Sequence, residues 1–256
     1  MKYPIVLAHG VMIKDFKFFK AFGRIEAVLK ENGYKVYTAK TDGMGSISNN
    51  AIELKREILE ILELEGVDKV NIIAHSKGGL DSKYMLERLD MSSHVASLTS
   101  LCTPYKGSPI ASFILKLPGF IIWCAKTWFN VVYKIFGDKN PDSLAVCKEL
   151  MLVESINEEC LNIATDAYVQ SYSTTLKRSR DDFIMGIPMA FCKYAYKRET
   201  DGLVDEDSSK IGNYKGRAFD SISHTDIVDF MVGKKKKKKI YEFYLGICKS
   251  LEEMGF

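Results

Sequence analysis

The sequence is poor in several features that mark other classes of protein. Its 256 residues include four histidines, six prolines and six cysteines, and no two cysteines stand at Cys-x-x-Cys spacing. Neither a zinc ribbon nor a thioredoxin-type motif is therefore indicated, although a disulfide stays possible. The formal net charge is only +3, so the electrostatic signature of a nucleic-acid-binding protein is missing and no nucleic-acid partner is expected.

Long uninterrupted apolar runs are also missing. The most apolar window, residues 110–136, is broken by lysines and a proline, which argues against a transmembrane helix. The apolar stretch at the N-terminus is too short for a signal peptide. We therefore expect a cytoplasmic protein or, if the sequence is the mature part of an exported protein, a secreted one. The lysine run Lys234–Lys239 could contact anionic lipid or nucleic acid, but we interpret it as a solvated turn before the last helix.

Apolar runs of strand type alternate with stretches of helical spacing. The runs predict strands at Tyr3–Ala8, Tyr34–Ala39, Val70–Ala74, His94–Cys102, Tyr168–Tyr172 and Met189–Tyr196, and helices at Phe16–Leu29, Ile52–Leu64 and Tyr241–Met254. This alternation is typical of a single α/β domain, residues 1–256, with a mostly parallel sheet flanked by helices. Residues 105 to about 166 carry no clear strand pattern and predict a helical insertion rich in aromatic residues.

A serine at the end of the third predicted strand has the setting of a catalytic nucleophile. Ala74-His75-Ser76-Lys77-Gly78-Gly79 follows an apolar strand and precedes a helix, and the positions two before and two after the serine are small. A nucleophile elbow needs this sharp strand-to-helix turn. An ordinary serine in a strand-to-helix turn is the alternative interpretation.

A nucleophilic serine needs a base, and the base needs an acid that orients it. His9 and His75 belong to strand ends and His94 falls at the start of the following strand, at the opposite edge of the sheet, so elimination leaves His224, in a polar loop near the end of the chain. Asp201, in a predicted loop after a strand and before Gly202, is the predicted acid, with Asp205 and Glu206 as competitors.

The first strand ends at His9-Gly10-Val11, at the edge of the sheet where α/β proteins bind ligands. The backbone N–H of Val11 could pair with that of Lys77 to form an oxyanion hole. Only backbone groups serve in this role, so the Lys77 side chain implies no charge chemistry. A simple turn at the strand end is the alternative.

Several blocks together resemble the bacterial triacylglycerol lipases of the Pseudomonas/Burkholderia type. They occur in the order of that family, at residues 3–10, 74–81, 103–108, 200–204 and 223–226. The resemblance implies an α/β-hydrolase fold, the triad of Ser76, Asp201 and His224, and a lid in the helical insertion. The alternative is that the aromatic residues of the insertion complete the core under the edge of the sheet. The chain departs from the family pattern at Ala74, where glycine is more usual, and in the lysine run.

The resemblance also implies a structural calcium ion. Asp226 lies two residues beyond the predicted base, where the lipases place a calcium ligand, and Asp181 corresponds to the second carboxylate, with Asp182 as its alternative. Carboxylate and carbonyl oxygens suit Ca²⁺ better than zinc. The metal would hold the histidine loop without taking part in proton transfer.

We therefore expect a serine carboxylester hydrolase that cleaves lipid or acylglycerol esters through an acyl-enzyme, with lipid or ester substrates met at a lipid–water interface. The alternatives are a short-chain esterase or an acyltransferase with the same triad. A catalytically silent hydrolase fold that binds an acyl ligand is a further alternative of a different class.

Overall fold

A computed structural model describes residues 1–11, 20–151 and 163–256 of the chain. In this part the strands are β1 (Ile5–Ala8), β2 (Val36–Thr38), β3 (Val70–His75), β4 (Val95–Leu101), β5 (Tyr168–Thr174) and β6 (Asn213–Phe219). They form a six-stranded sheet in the order β2-β1-β3-β4-β5-β6, and every neighbouring pair is parallel. The predicted α/β fold with a parallel sheet is therefore confirmed.

Eight α-helices lie in the described residues. They are α1 (Ile25–Glu31), α2 (Ile47–Glu65), α3 (Lys77–Arg88), α4 (Pro109–Ile114), α5 (Gly119–Ile135), α6 (Ser143–Glu149), α7 (Gly186–Phe191) and α8 (Lys234–Glu253). Among the described residues, no helix combines the length and the apolar character that crossing a membrane requires.

The sheet is covered on both faces, and the alternation of side chains along β1 shows how. Ile5 and Leu7 belong to an apolar cluster with residues of α1 and α8, whereas Val6 and Ala8 belong to a second cluster with residues of α2 and α3. Successive side chains of a strand point to opposite faces of the sheet, so a strand covered on both faces is apolar throughout. This double burial explains the continuous apolar run of β1, and β3 is buried throughout in the same way, with Asn71 as a polar residue within it.

Two sequence predictions are wrong, the strand at Met189–Tyr196 and the turn at the lysine run, and the strand β6 was not predicted. Met189–Tyr196 is not a strand: it lies in α7 and a π-helical turn, Cys192–Tyr196, where the buried residues Met189 and Cys192 are three positions apart. A short apolar run fits the periods of both a helix and a strand, so the spacing alone could not decide between them.

The edge strand β6 is half exposed and partly polar, so it lacks the apolar pattern by which a strand is predicted. The lysine run is not a turn, because it forms the first two turns of α8.

The predicted insertion contains α4, α5 and α6 and no strand in its described residues. Residues 152–162 of the insertion and residues 12–19, which include the start of the predicted helix Phe16–Leu29, lie outside the described residues. No residue of α5 is buried, and its exposed side chains include Phe120, Trp123 and Trp128. The insertion therefore carries the most exposed aromatic helix in the described part of the chain.

Candidate active site

The turn between β3 and α3 holds Ser76 in a strained conformation. Its φ of 54° and ψ of −130° are rarely adopted by a residue with a side chain. The turn also requires close backbone contacts: a Cβ on Gly78 would lie 2.3 Å from the carbonyl oxygen of Ala8. Both features are those of a nucleophile elbow, and they account for the small residue two positions after the serine.

The three residues predicted as a catalytic triad lie together in one hydrogen-bonded chain. His224 Nε2 is 2.8 Å from Ser76 Oγ, and His224 Nδ1 is 2.7 Å from Asp201 Oδ2. All three residues are buried. They come from three distant parts of the sequence, which the parallel sheet brings to the edge where its strands end.

Asp201 is held by the backbone of its own loop. Its Oδ1 accepts hydrogen bonds from the N–H groups of Leu203 (3.0 Å) and Val204 (2.9 Å), which leaves Oδ2 for the imidazole. The backbone N–H of His224 donates to the carbonyl of Asp201 at 2.9 Å. Gly202 has a φ of +117°, so this turn needs glycine. A strand was expected to precede this loop, but the π-helical turn Cys192–Tyr196 precedes it instead.

The segment predicted to supply the oxyanion hole runs against the elbow. A Cβ built on Gly10 would lie 2.6 Å from Ser76 Cβ and 2.9 Å from the backbone nitrogen of Lys77. Lys77 is the first residue of α3, and N–H groups in the first turn of a helix lack intrahelical partners. The structure thus brings Gly10, the residue before Val11, and the Lys77 amide to the same turn. The role of the Val11 and Lys77 N–H groups as an oxyanion hole remains a prediction.

The side chain of Lys77 is directed away from this chemistry. Its ammonium group is fully buried and donates to both carboxylate oxygens of Asp81, at 2.9 and 3.0 Å. Burial raises the pKa of Asp81 to about 6, although the adjacent Lys77 charge acts in the opposite direction. Asn50 of α2 donates to the same carboxylate at 3.2 Å. Through Asn50 this buried pair connects α3 to α2 directly beneath the elbow, a contact that no sequence pattern predicted.

Two further residues at the site were also missed. His75 is buried, and its ring lies 4.6 Å from the His224 ring between centroids. Burial, and secondarily the charge of His224, hold the pKa of His75 well below 6.5. Cys102 follows β4 with a φ of 51°, and burial and the nearby Asp201 charge raise the pKa of its thiol. The positions of both residues directly at strand ends were the available signal.

His94 lies apart from this arrangement. It lies just before β4, at the end of the sheet opposite to Ser76, and its Nδ1 is 3.3 Å from the carbonyl oxygen of Asp68. The elimination that selected His224 agrees with this placement.

The residues predicted to bind calcium do not fit the ion as they are arranged. The carboxylate of Asp181 accepts hydrogen bonds from the backbone N–H and the Nε of Arg178. The carboxylate of Asp226 accepts from the ammonium of Lys236 at 2.6 Å. Calcium requires six to eight oxygen ligands. Here the carboxylate of Asp181 is bonded to Arg178, and the charge of the Asp226 carboxylate is neutralised by Lys236. Asp182, the alternative, accepts from Ser223 Oγ at 2.5 Å.

Comparisons with known proteins agree with the geometry of the site. No family model matches the chain. Triacylglycerol lipase 2 of Saccharomyces cerevisiae is 27% identical over 267 residues, which cover 91% of this chain and 73% of that protein. A triacylglycerol lipase of Burkholderia plantarii is 35% identical over 169 residues, 60% of this chain and 46% of that protein. The chain thus spans about half the length of the bacterial relatives it matches.

Among solved structures, the Staphylococcus hyicus lipase superposes with a TM-score of 0.72 at 15% identity, covering 100% of this chain and 96% of that one. At that identity the likeness concerns the fold. Together, the comparisons confirm the resemblance to the bacterial triacylglycerol lipases and the α/β-hydrolase fold, and they support a lipase-type ester hydrolase.

Proposed function

We propose that this protein hydrolyses carboxylic esters of lipids, acylglycerols among them, through an acyl-enzyme on Ser76. The observation that carries the proposal is the hydrogen-bonded chain from Ser76 Oγ through His224 to Asp201, with contacts of 2.8 and 2.7 Å. The strained turn at Ser76 and the burial of all three residues support it.

In the first half of the reaction, Ser76 Oγ attacks the ester carbonyl carbon while His224 Nε2 takes the hydroxyl proton. The backbone N–H groups of Val11 and Lys77 stabilise the negative oxygen of the tetrahedral intermediate. When that intermediate collapses, the carbon–oxygen ester bond breaks and His224 returns the proton to the leaving alcohol. Asp201 holds the imidazole and stabilises its protonated form throughout.

In the second half, water replaces the alcohol. His224 takes a proton from the water, whose oxygen attacks the acyl carbon. When the second intermediate collapses, the bond between the acyl carbon and Ser76 Oγ breaks, His224 returns the proton to Oγ, and the carboxylic acid is released. An acyltransferase would use an alcohol in place of water with the same residues. The complete triad argues against the silent acyl-binding alternative, because binding alone requires no hydrogen-bonded chain of serine, histidine and aspartate.

The orientation of α5 favours substrates at a lipid–water interface. Two polar residues of α5 face the protein: Asn130 Oδ1 accepts from the backbone N–H of Ser143 at 2.9 Å, and Lys126 Nζ lies 3.6 Å from an Asp142 oxygen. Trp123 and Trp128 are 68% and 61% exposed. An exposed apolar surface of this kind marks an interaction site. We therefore propose that α5 acts as a lid whose aromatic face enters the lipid surface.

The test is a series of p-nitrophenyl esters of increasing acyl length, assayed with the wild type and with Ser76→Ala. We expect the wild type to hydrolyse long-chain as well as short-chain esters, and Ser76→Ala to lose on the order of 10³-fold or more in kcat, because triad members act as a unit. His94→Ala is the matched control and should stay active. Hydrolysis confined to the shortest esters would favour the esterase, and no turnover with any ester would contradict the proposal.

A further inference from the structure

The lysine run at the start of α8 stands where a helix least favours positive charge. The N-terminus of a helix carries a partial positive charge, so basic side chains there are unfavourable unless a partner compensates them. Two of the lysines have buried acidic partners: Lys236 pairs with Asp226 and Lys237 with Asp229, at 2.6 and 3.2 Å. Asp226 and Asp229 lie two and five residues after His224 in the sequence. The lysine run is therefore joined to the loop that carries the candidate base.

Lys236 makes a second contact that reaches another segment. Its ammonium donates to the carbonyl oxygen of Asp181 at 2.9 Å as well as to the Asp226 carboxylate. The Asp226 side chain is only 7% exposed to solvent. One cation thus joins the short 3₁₀ helix Ser179–Asp181 to the segment after His224, with its charge balanced by a buried carboxylate.

The Asp226 carboxylate is also tied to the histidine itself through the neighbouring residue. Its Oδ2 accepts from the backbone N–H of Ser223 at 3.2 Å, and Ser223 Oγ accepts from the Asp226 N–H at 3.0 Å. Ser223 directly precedes His224. Any movement of Asp226 would therefore be passed through this closed turn to the imidazole, which must stay within hydrogen-bonding distance of Ser76.

We infer that Lys236 is a positioning residue for His224, and that its ammonium group supplies the fixed cation for which the sequence predicted Ca²⁺. The inference depends on the proposed role of His224 as the base. The ammonium group already donates to Oδ2 of the Asp226 carboxylate, the group that the sequence predicted as a metal ligand. A divalent ion at the same oxygen would be repelled by it. The chain thus carries a built-in cation between the two segments.

The experiment compares the wild type, Lys236→Met and Lys236→Arg, with Lys238→Met as the matched control. Lys238 lies on the same helix, but its side chain is 82% exposed, and among the described residues its one ion pair is with Glu242, at 3.8 Å. With a soluble p-nitrophenyl ester, we expect Lys236→Met to lower kcat about tenfold to a hundredfold at nearly unchanged KM, because misplacing the base affects the reaction more than substrate binding. Lys236→Arg should restore most of the kcat, and Lys238→Met should match the wild type.

A second readout does not depend on activity. The melting temperature of the wild type should be the same in EGTA and in millimolar CaCl₂, whether or not the protein hydrolyses esters, so the cation can be tested even if the proposed function fails. A melting temperature that falls in EGTA, or a Lys236→Met variant with wild-type kcat, would overturn the inference. If Lys236→Met does not fold, Asp226→Asn removes the same ion pair and should show the same selective loss of kcat.

Discussion

Replacing His75 with phenylalanine should make the protein less sensitive to acid. His75 is buried, and burial is the main cause that holds its pKa well below the ordinary value of 6.5, followed by the charge of His224 and, to a lesser extent, that of His9. The unfolded chain, by contrast, binds a proton on this imidazole as the pH falls through 6.5. Protonation of His75 at low pH therefore stabilises the unfolded chain relative to the folded protein.

The sign and the size follow from proton linkage. Because the folded pKa is lowered, the contribution of His75 is fully present above pH 6.5 and is lost progressively below it. The loss approaches about 1.4 kcal/mol for each pH unit while the folded imidazole stays neutral. Between about pH 7.5 and pH 5.5 the wild type should lose about 1.4 kcal/mol more of its free energy of unfolding than His75→Phe. Phenylalanine keeps a planar ring against His224 but cannot titrate.

The assay is urea unfolding of both proteins at a series of pH values, extrapolated linearly to zero denaturant. The difference between the two proteins should be constant above about pH 7 and should change only below pH 6.5, which provides an internal control. Two curves that run parallel over the whole range would refute the argument. They would mean that the His75 imidazole takes up its proton inside the folded protein.

Two other predictions concern the acid and the lid. Asp201→Asn should lower kcat by about 10⁴-fold because an amide cannot hold the imidazole as a carboxylate does. The control Asp205→Asn loses the contacts of its carboxylate to Arg198 and Ser208 and should keep its activity. Equal losses of kcat in the two variants would contradict the assignment of Asp201. Replacing Trp123 and Trp128 with serine should lower activity on an emulsified long-chain ester about tenfold or more, since burying each indole in lipid is worth about 2 kcal/mol. Activity on a soluble short-chain ester should not change, and Leu64→Ser, exposed on α2, should behave as the wild type; a loss on both substrates would count against a lid that enters lipid.

The sequence was informative where local chemistry and topology coincide. The strand-to-helix setting of Ser76 follows from an apolar run and two glycines, and such a turn is readable without the rest of the fold. Selecting His224 needed only four candidates and the rule that ligands bind at the strand ends of a parallel sheet. Asp201 was predicted for a partly wrong reason, because the strand expected before it is a helix and a π-helical turn.

What the sequence concealed depends on contacts between distant residues. The buried pair of Lys77 and Asp81 stands four residues apart on one helix, a spacing that solvent-exposed pairs share. The contact of Lys236 with Asp181 joins residues 55 positions apart, and no local pattern announces it. A lysine run carries the composition of a solvated segment, so its two buried partners become visible only when α8 is placed beside the His224 loop.

Covalent capture of the nucleophile tests the central claim most directly. The wild type is incubated with a fluorophosphonate, which reacts with activated serines, and the adduct is located by peptide mass mapping while ester hydrolysis is followed in parallel. We predict one adduct per chain, on Ser76, that forms in step with the loss of hydrolysis and is missing in Ser76→Ala. An adduct on another residue, or hydrolysis that persists after Ser76 is fully modified, would contradict the account.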